Sequence, residues 1–253
     1  MSKIVVIGGS GLIGSKVIER LTASGHDARS ASPRTGVNTL TGVGLTEIMS
    51  GAATVIDVSN SPSFADDDVL AFFTTATTNI TSAAKQAGVN HIVALTVVGS
   101  GRMTDSGYQR AKVAQEQLIQ GSGVPYSLVH ATQFFEFVDS IAGAATVEDK
   151  VRLPHVLIQP IAADDVAAAV TQAAENKPIN GSVEVAGPEQ FRLDDLARIS
   201  LGFREDPRTV VTDPESRYFG HKLSERTLLP GANAVIFDTR FEQWLKTTVS
   251  PSL

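Results

Sequence analysis

The sequence predicts a doubly wound α/β fold: a parallel sheet flanked by helices, followed by a small mixed C-terminal cap. Three observations carry that expectation. Short β-branched runs alternate with helical periodicities at intervals of roughly 20–35 residues, the rhythm of βαβ units. A glycine-rich turn, Gly8 to Gly14, separates the first strand from the first helix. After about Gln133 the alternation becomes irregular, and Gly, Pro and Arg scatter between Gly202 and Gly231.

The elements follow in order. Ile4 to Ile7 is a β-branched run ended by glycines and reads as a buried parallel strand. From Leu12 to Ser24 apolar residues recur at helical spacing, and Gly25 stops the helix. Ala28 to Ser32 is a weaker strand. Leu45 to Ser50 is helical, with Gly51 closing it, and Thr54 to Val58 is a strand. Phe72 to Ala87 is a long helical pattern led by Asp66, Asp67 and Asp68, whose charges suit a helix N-terminus. Ile92 to Val98 is the next strand, Tyr108 to Gln120 the next helix, and Tyr126 to His130 another strand. Beyond these, Val156 to Ile161 and Val183 to Val185 read as strands. Val166 to Ala174, led by Asp164 and Asp165, reads as a helix, as do Leu193 to Leu201 and Phe241 to Lys246. This organisation places a nucleotide-type domain at 1–132, with 156–186 returning to it, and a cap at 133–155 and 187–253.

Composition excludes several classes. Of 253 residues, 42% are hydrophobic and 19% charged, which is ordinary globular usage. With 21 basic and 27 acidic residues the net charge is −6, so no broad nucleic-acid footprint is expected. The absence of cysteine removes disulfides, thiolate metal sites and a thiol nucleophile together. The five histidines show no His–Glu–His spacing, so no metal is expected either. The longest stretch without Asp, Glu, Lys, Arg or His is Val69 to Ala84, shorter than the roughly 20 residues a membrane span needs. Gly8 to Gly11 breaks the first apolar run before a signal-peptide core could form. The expectation is a cytoplasmic chain acting on a small molecule, of undetermined oligomeric state.

The turn reads Gly8-x-x-Gly11-x-x-Gly14. Glycine there permits the tight turn, close backbone approach to a pyrophosphate, and close packing of helix on strand. The loop and helix-start N–H groups, those of Ser10, Leu12 and Ile13 among them, would then bind the anion. An NAD-selective site places an acidic residue at the end of the second strand to hold the ribose hydroxyls. None occurs between Asp27 and Glu47; the strand ends Ser32-Pro33-Arg34 instead. The Arg34 guanidinium can pair with a 2′-phosphate and Ser32 can add a hydroxyl, so NADP(H) is favoured. Arg29 is the competing cation but lies inside the strand.

Tyr108 and Lys112 stand at i and i+4 on one helix face. A phenol is a poor acid at neutral pH, and a neighbouring ammonium that lowers its pKa makes proton exchange with a carbonyl or alcohol oxygen feasible. Lys112 can also hold the nicotinamide ribose. Thr96 at the end of the preceding strand, or Ser100 in the loop, offers a hydroxyl to polarise a substrate carbonyl.

Together these motifs resemble the short-chain dehydrogenase/reductase superfamily, in its atypical NmrA-like branch. The resemblance rests on the glycine loop, Ser32-Pro33-Arg34, Thr96-Val97-Val98-Gly99, Tyr108-x-x-x-Lys112, Tyr126 to Phe137 and Gln159 to Ala167. It implies a Rossmann-type sheet, an NADP(H)-dependent oxidoreductase and a small carbonyl or quinone-like substrate held by the cap. It also implies that Phe134 contacts nicotinamide and that Ser59 and Asn60 contact the adenosine half, where strand capping is the competing role. Many members of the branch lack the tyrosine, and some are redox-sensing regulators without turnover, which is the alternative reading. An epimerase or dehydratase that retains NAD fits the arginine less well. Where relatives often carry arginine ahead of the phenylalanine segment, this chain has His130.

Overall fold

The computed structural model describes residues 1–248. The chain divides into two compact units: residues 1–130 with 166–183, and residues 131–165 with 184 onward.

The first unit opens with β1 (Lys3–Ile7), α1 (Leu12–Ala23), β2 (Asp27–Ala31), α2 (Leu45–Met49), β3 (Thr54–Asp57) and α3 (Asp66–Gln86). It continues with β4 (His91–Val97), α4 (Gly107–Gln120) and β5 (Tyr126–Ala131), whose last residue falls in the second unit. The second unit holds α5 (Val138–Ala144), β6 (Thr146–Val147), β7 (Lys150–Leu153) and β8 (Leu157–Ile158). The chain returns to the first unit through α6 (Ala163–Glu175) and leaves it along β9 (Gly181–Ala186). It ends in the second unit with β10 (Phe191–Arg192), α7 (Leu193–Phe203), β11 (Thr209–Thr212), β12 (Val235–Ile236) and α8 (Phe241–Thr248).

The main sheet is seven-stranded, in the order β12-β9-β5-β4-β3-β1-β2. The Rossmann-type expectation therefore holds, and the second unit carries a small mixed sheet, β11-β7-β6, in which β11 runs parallel to β7 and β6 antiparallel. Burial on both faces explains the continuous apolar run of β1, whose Ile4, Val5, Val6 and Ile7 are all essentially inaccessible. α1 buries Ile13, Gly14, Val17 and Leu21, one stripe at helical spacing. α3 begins at Asp66, six residues ahead of the apolar periodicity. All three aspartates lie in its first turn, where they complement the helix dipole and extend the helix forward.

Register positions the site. Ile7 is level with Ala31 on one side and Asp57 on the other, and Asp57 is level with Ala94. The parallel strands thus deliver Gly8, Ser32 and Val58 to one edge, with Leu95 to Val97 reaching beyond it. Strand order reverses between β1 and β3, so the crevice outside their carboxyl ends is where this topology binds ligands. β2 is the outermost strand on its side and carries an Asp27–Arg29 ion pair of 2.6 Å. Edge charges of this kind discourage pairing with another chain.

Residues 156–165 cluster with the second unit rather than with the nucleotide domain. The expected strand Val156 to Ile161 shrinks to Leu157–Ile158, because proline at 154 and 160 supplies no N–H to a ladder. It pairs antiparallel with β10, inside the second unit. There Phe135 packs on Phe241 at 5.1 Å and on Trp244 at 5.5 Å. Asp194, fully buried, is held by His155 at 2.8 Å, Arg198 at 2.9 Å and the Thr212 hydroxyl. Burial works against its charge, but these hydrogen bonds outweigh it and keep the carboxyl below its usual range. His155, Asp194 and Asp195 have metal-ligand spacing, yet Arg198 already supplies the cation to both carboxylates.

At the opposite edge of the main sheet, His91 at the start of β4 is 3% exposed, and its Nε2 lies 2.8 Å from the Ser127 hydroxyl. Burial pushes the imidazole down from about 6.5 to about 4. Unfolded chain therefore takes up this proton at higher pH than folded chain does. The stability contribution is complete above about 6.5 and is lost as pH falls toward about 4. Thermal unfolding followed across that window is expected to show a falling midpoint in the wild type and a flatter profile in His91→Gln. Equal slopes for the two proteins would refute this.

Candidate active site

The glycine loop departs from the end of β1 in a left-handed turn at Gly8, where φ is +78°. A β-carbon on Gly8 would sit 2.9 Å from the Ser59 backbone, so the β3 loop presses directly on this turn. On Gly14 it would lie 2.3 Å from the Gly8 carbonyl, which makes that position a helix-packing glycine. Gly11 differs. Its φ is −87°, and a β-carbon would meet only the Gly8 carbonyl at 3.2 Å. Protein sterics do not demand glycine there; the space it leaves open lies at the start of α1.

Gly11 is the N-cap of α1, no side chain caps that helix, and its first turn holds no acidic residue. Ser10, Gly11 and Leu12 are exposed and Ile13 is buried. The arrangement combines free N–H groups, the positive end of the helix dipole and a cradle that a β-carbon would fill, which fits a pyrophosphate.

At the end of β2, Ser32 is buried and its hydroxyl has no hydrogen-bond partner. Its backbone N–H donates to the Thr35 hydroxyl at 2.9 Å. Arg34 is exposed, and among the described residues nothing pairs with it. Arg29, the competing cation, is spent on Asp27. Ser59 donates both its hydroxyl, at 2.6 Å, and its N–H, at 3.0 Å, to Asp57. Asn60 is exposed and accepts from the Ser61 N–H at 3.1 Å. The buried Asp57 also accepts from the Gln115 amide of α4 at 2.9 Å.

α4 carries Tyr108 and Lys112. Lys112 is 3% exposed, donates to the Leu95 carbonyl at 2.9 Å and stands 4.5 Å over the Phe73 ring. Burial pushes its ammonium down to about 8, against the carboxylates of Asp57 and Glu116, which hold it up. Tyr108 packs against Phe64 at 5.8 Å and edge-on to Phe73 at 6.1 Å. Burial pushes its phenol up to about 12. The expected depression of the phenol by Lys112 is therefore not what the geometry gives. The ammonium turns toward Leu95 and Phe73, and no hydrogen bond joins it to Tyr108 among the described residues.

Thr96 is buried and gives its hydroxyl proton to Glu116, one turn beyond Lys112. Ser100 reaches the same carboxylate oxygen at 3.4 Å, and His130 Nε2 lies 3.4 Å from it. Burial would raise the Glu116 carboxyl, but bonds from His130 and Thr96 and the charges of His130 and Lys112 hold it below the usual range. Sequence reading missed Glu116. The available signal was its place four residues after Lys112, on the face that already held Tyr108 and Lys112.

The phenylalanine segment divides by role. Phe135 is core, whereas Phe134 stacks on the exposed Phe137 at 5.2 Å within the second unit. 

Residues 8–177 match the family described as NAD(P)H-binding. The chain belongs to that family. This NAD(P)H-binding protein is also similar in fold to solved oxidoreductases at low sequence identity. One is a short-chain dehydrogenase/reductase superfamily protein from Agrobacterium tumefaciens with bound NAD. It shows 15% identity over 97% of this chain and 95% of that one, with a TM-score of 0.72. A dTDP-4-dehydrorhamnose reductase from Bacillus anthracis, in complex with NADP, shows 13% identity over 100% and 95%, with a TM-score of 0.68. An NADPH-dependent quinone oxidoreductase from Escherichia coli shows 20% identity over 84% and 78%, with a TM-score of 0.61. No curated protein sequence matches. Its cofactor class is thus a nicotinamide dinucleotide, and the likeness to these solved structures is one of fold. No described helix is long and apolar enough to cross a membrane.

Proposed function

We propose that the protein is an NADP(H)-dependent oxidoreductase reducing a small carbonyl or quinone-like substrate. The observation that carries the cofactor choice is Arg34, exposed and, like the buried Ser32 hydroxyl after β2, without a partner among the described residues. A guanidinium there matches a 2′-phosphate, and no carboxylate stands where ribose hydroxyls would need one. The NADPH-dependent quinone oxidoreductase among the fold relatives is consistent with this choice. Gly8, Gly11, Gly14 and the N–H groups of Ser10, Leu12 and Ile13 hold the pyrophosphate in this reading. Ser59 and Asn60 line the adenosine half, Lys112 holds the nicotinamide ribose and Phe134 contacts the nicotinamide. The bound dinucleotide supplies hydride.

Tyr108 supplies the proton. A phenol pushed up to about 12 stays protonated at neutral pH, so it serves as a donor. An alkoxide forming at a carbonyl oxygen is more basic than phenolate, which makes that proton transfer downhill. Of the two candidate hydroxyls, Thr96 gives its proton to Glu116, so Ser100 orients the acceptor.

One observation favours the second reading, an NADP-binding sensor without turnover: no hydrogen bond ties the Tyr108 phenol to Lys112 among the described residues. Steady-state NADPH loss against quinones, aldehydes and ketones separates the two, since a sensor binds without consuming. For the cofactor, NADPH is expected to bind more tightly than NADH. Arg34→Ala should remove most of that preference, about 1.5–3 kcal/mol for hydrogen bonds to a charged group. Equal affinities in the wild type at fixed ionic strength would defeat the assignment.

A further inference from the structure

We propose that Glu116 is a positioning residue: its half-buried carboxylate, gripped by Thr96 and facing His130 and Lys112, keeps Lys112 charged and Thr96 oriented. The proposal rests on the reading of Lys112 and Thr96 as site residues and extends it to a residue that no motif marks.

Three side chains from three elements converge on one oxygen, Oε1 of Glu116, two by hydrogen bonds and the imidazole of His130 at 3.4 Å. Thr96 comes from β4, Ser100 from the loop after it, and His130 from β5. The side chains of His130 and Glu116 are 15% and 14% exposed, so this carboxylate is largely withdrawn from water. A withdrawn carboxylate that only stabilised α4 would be a poor investment, because desolvation opposes it and an apolar residue fills such a place more cheaply. Its placement makes sense if a neighbouring cation needs it.

That cation is Lys112, one helical turn earlier on the same face. The groups facing Lys112 are few. They are the Leu95 carbonyl of β4, the Phe73 ring of α3, Asp57 of β3, and Glu116 on its own helix; Tyr108 lies one turn before it. Asp57, shared between the Ser59 hydroxyl and the Gln115 amide, is the larger support for the ammonium, and Glu116 is the second, from its own helix. Burial lowers the ammonium to about 8, so the two carboxylates that oppose it bear on its protonation near neutral pH.

The same bond fixes Thr96. Because its hydrogen points at Glu116, its oxygen presents lone pairs elsewhere, and the Val97 N–H is 2.6 Å from it. Thr96 is thereby an acceptor toward any ligand, and donation to a substrate carbonyl falls to Ser100, whose contact with Glu116 is longer.

The test is a titration of Lys112 in the purified full chain, followed by its 13Cε chemical shift and assigned with Lys112→Arg. No substrate or nucleotide is added, so it reads the same whether or not the protein turns over NADPH. The wild-type midpoint is expected near 8. In Glu116→Gln, which keeps size and an acceptor oxygen, it should fall by about one to two pH units, the effect of removing one close opposite charge. Glu116→Asp should retain most of the wild-type value. Should Glu116→Gln fail to fold, the reciprocal measurement replaces it: in Lys112→Met the Glu116 carboxyl should titrate at higher pH than in the wild type. Where turnover is present, the alkaline limb of kcat should move down with the Lys112 midpoint in Glu116→Gln, an effect that loss of packing alone would not give. An unmoved Lys112 midpoint, or an unmoved Glu116 carboxyl in the reciprocal case, overturns the proposal. Failure of NADPH binding or turnover in the wild type would overturn only the functional reading beneath it.

Discussion

Tyr108→Phe is expected to cut turnover by about 10²–10⁴-fold while leaving NADPH affinity nearly unchanged, the range typical of lost general acid catalysis. The substitution removes one oxygen and keeps the ring. That ring is what packs on Phe64 and Phe73, so α3 and α4 should stay in place. Burial keeps the phenol protonated, and its hydroxyl has no hydrogen bond recorded among the described residues, so little native-state bonding is lost with it. Lys112→Ala should do more. It removes the proposed ribose contact, the donor to the Leu95 carbonyl and a charge that balances Asp57 and Glu116. It should weaken cofactor binding as well as turnover. The double variant should be no worse than the sum of the singles, since residues that act as a unit are non-additive. Single-turnover rates and NADPH titrations on the four proteins measure both effects. Wild-type rates in Tyr108→Phe would move proton delivery to water or to another group.

Gly11→Val should abolish nucleotide binding in a chain that stays folded. Its backbone is in a region any residue adopts, and the added β-carbon meets only the Gly8 carbonyl at 3.2 Å. The protein can accommodate that contact; a pyrophosphate lying on the α1 N-terminus cannot. A loss of at least two orders of magnitude in NADPH affinity is expected, about 2.8 kcal/mol at 1.4 per tenfold. Gly14→Val is the contrasting variant. Its β-carbon would overlap the Gly8 carbonyl at 2.3 Å, so the fold itself should suffer and the thermal midpoint should fall. Normal NADPH binding by Gly11→Val would make the loop a packing turn.

Much of the frame was legible because its causes are local. The strand–glycine–helix order of residues 4–23, the aspartates that open α3 and the prolines around β8 act through sterics, periodicity and dipoles within a few residues. Some local signals were weaker than the structure. The aspartates at 66 to 68 suit a helix N-terminus, and they form the first turn of α3 itself, ahead of a buried stripe that begins at Val69. The phenylalanines 134, 135 and 137 look alike in sequence, but only Phe135 finds the core, against Phe241 and Trp244 more than a hundred residues later.

The sequence by itself determined the family, the parallel alternating architecture, the glycine cradle and the presence of Arg34 where an acidic residue would hold ribose. Each depends on residue type at a fixed short spacing. Tertiary structure alone decided which charges meet. Parallel register places Asp57 level with Ala94 and so under α4, where Gln115 reaches it across 58 positions. The same pairing seats Lys112 against Leu95 and Phe73, and gathers Thr96, Ser100 and His130 on Glu116. The helical spacing of Tyr108 and Lys112 predicts a shared face, but not the dielectric around it. Burial drives the phenol up and the ammonium down, because desolvation depends on every atom within reach, and most of those atoms come from distant parts of the chain.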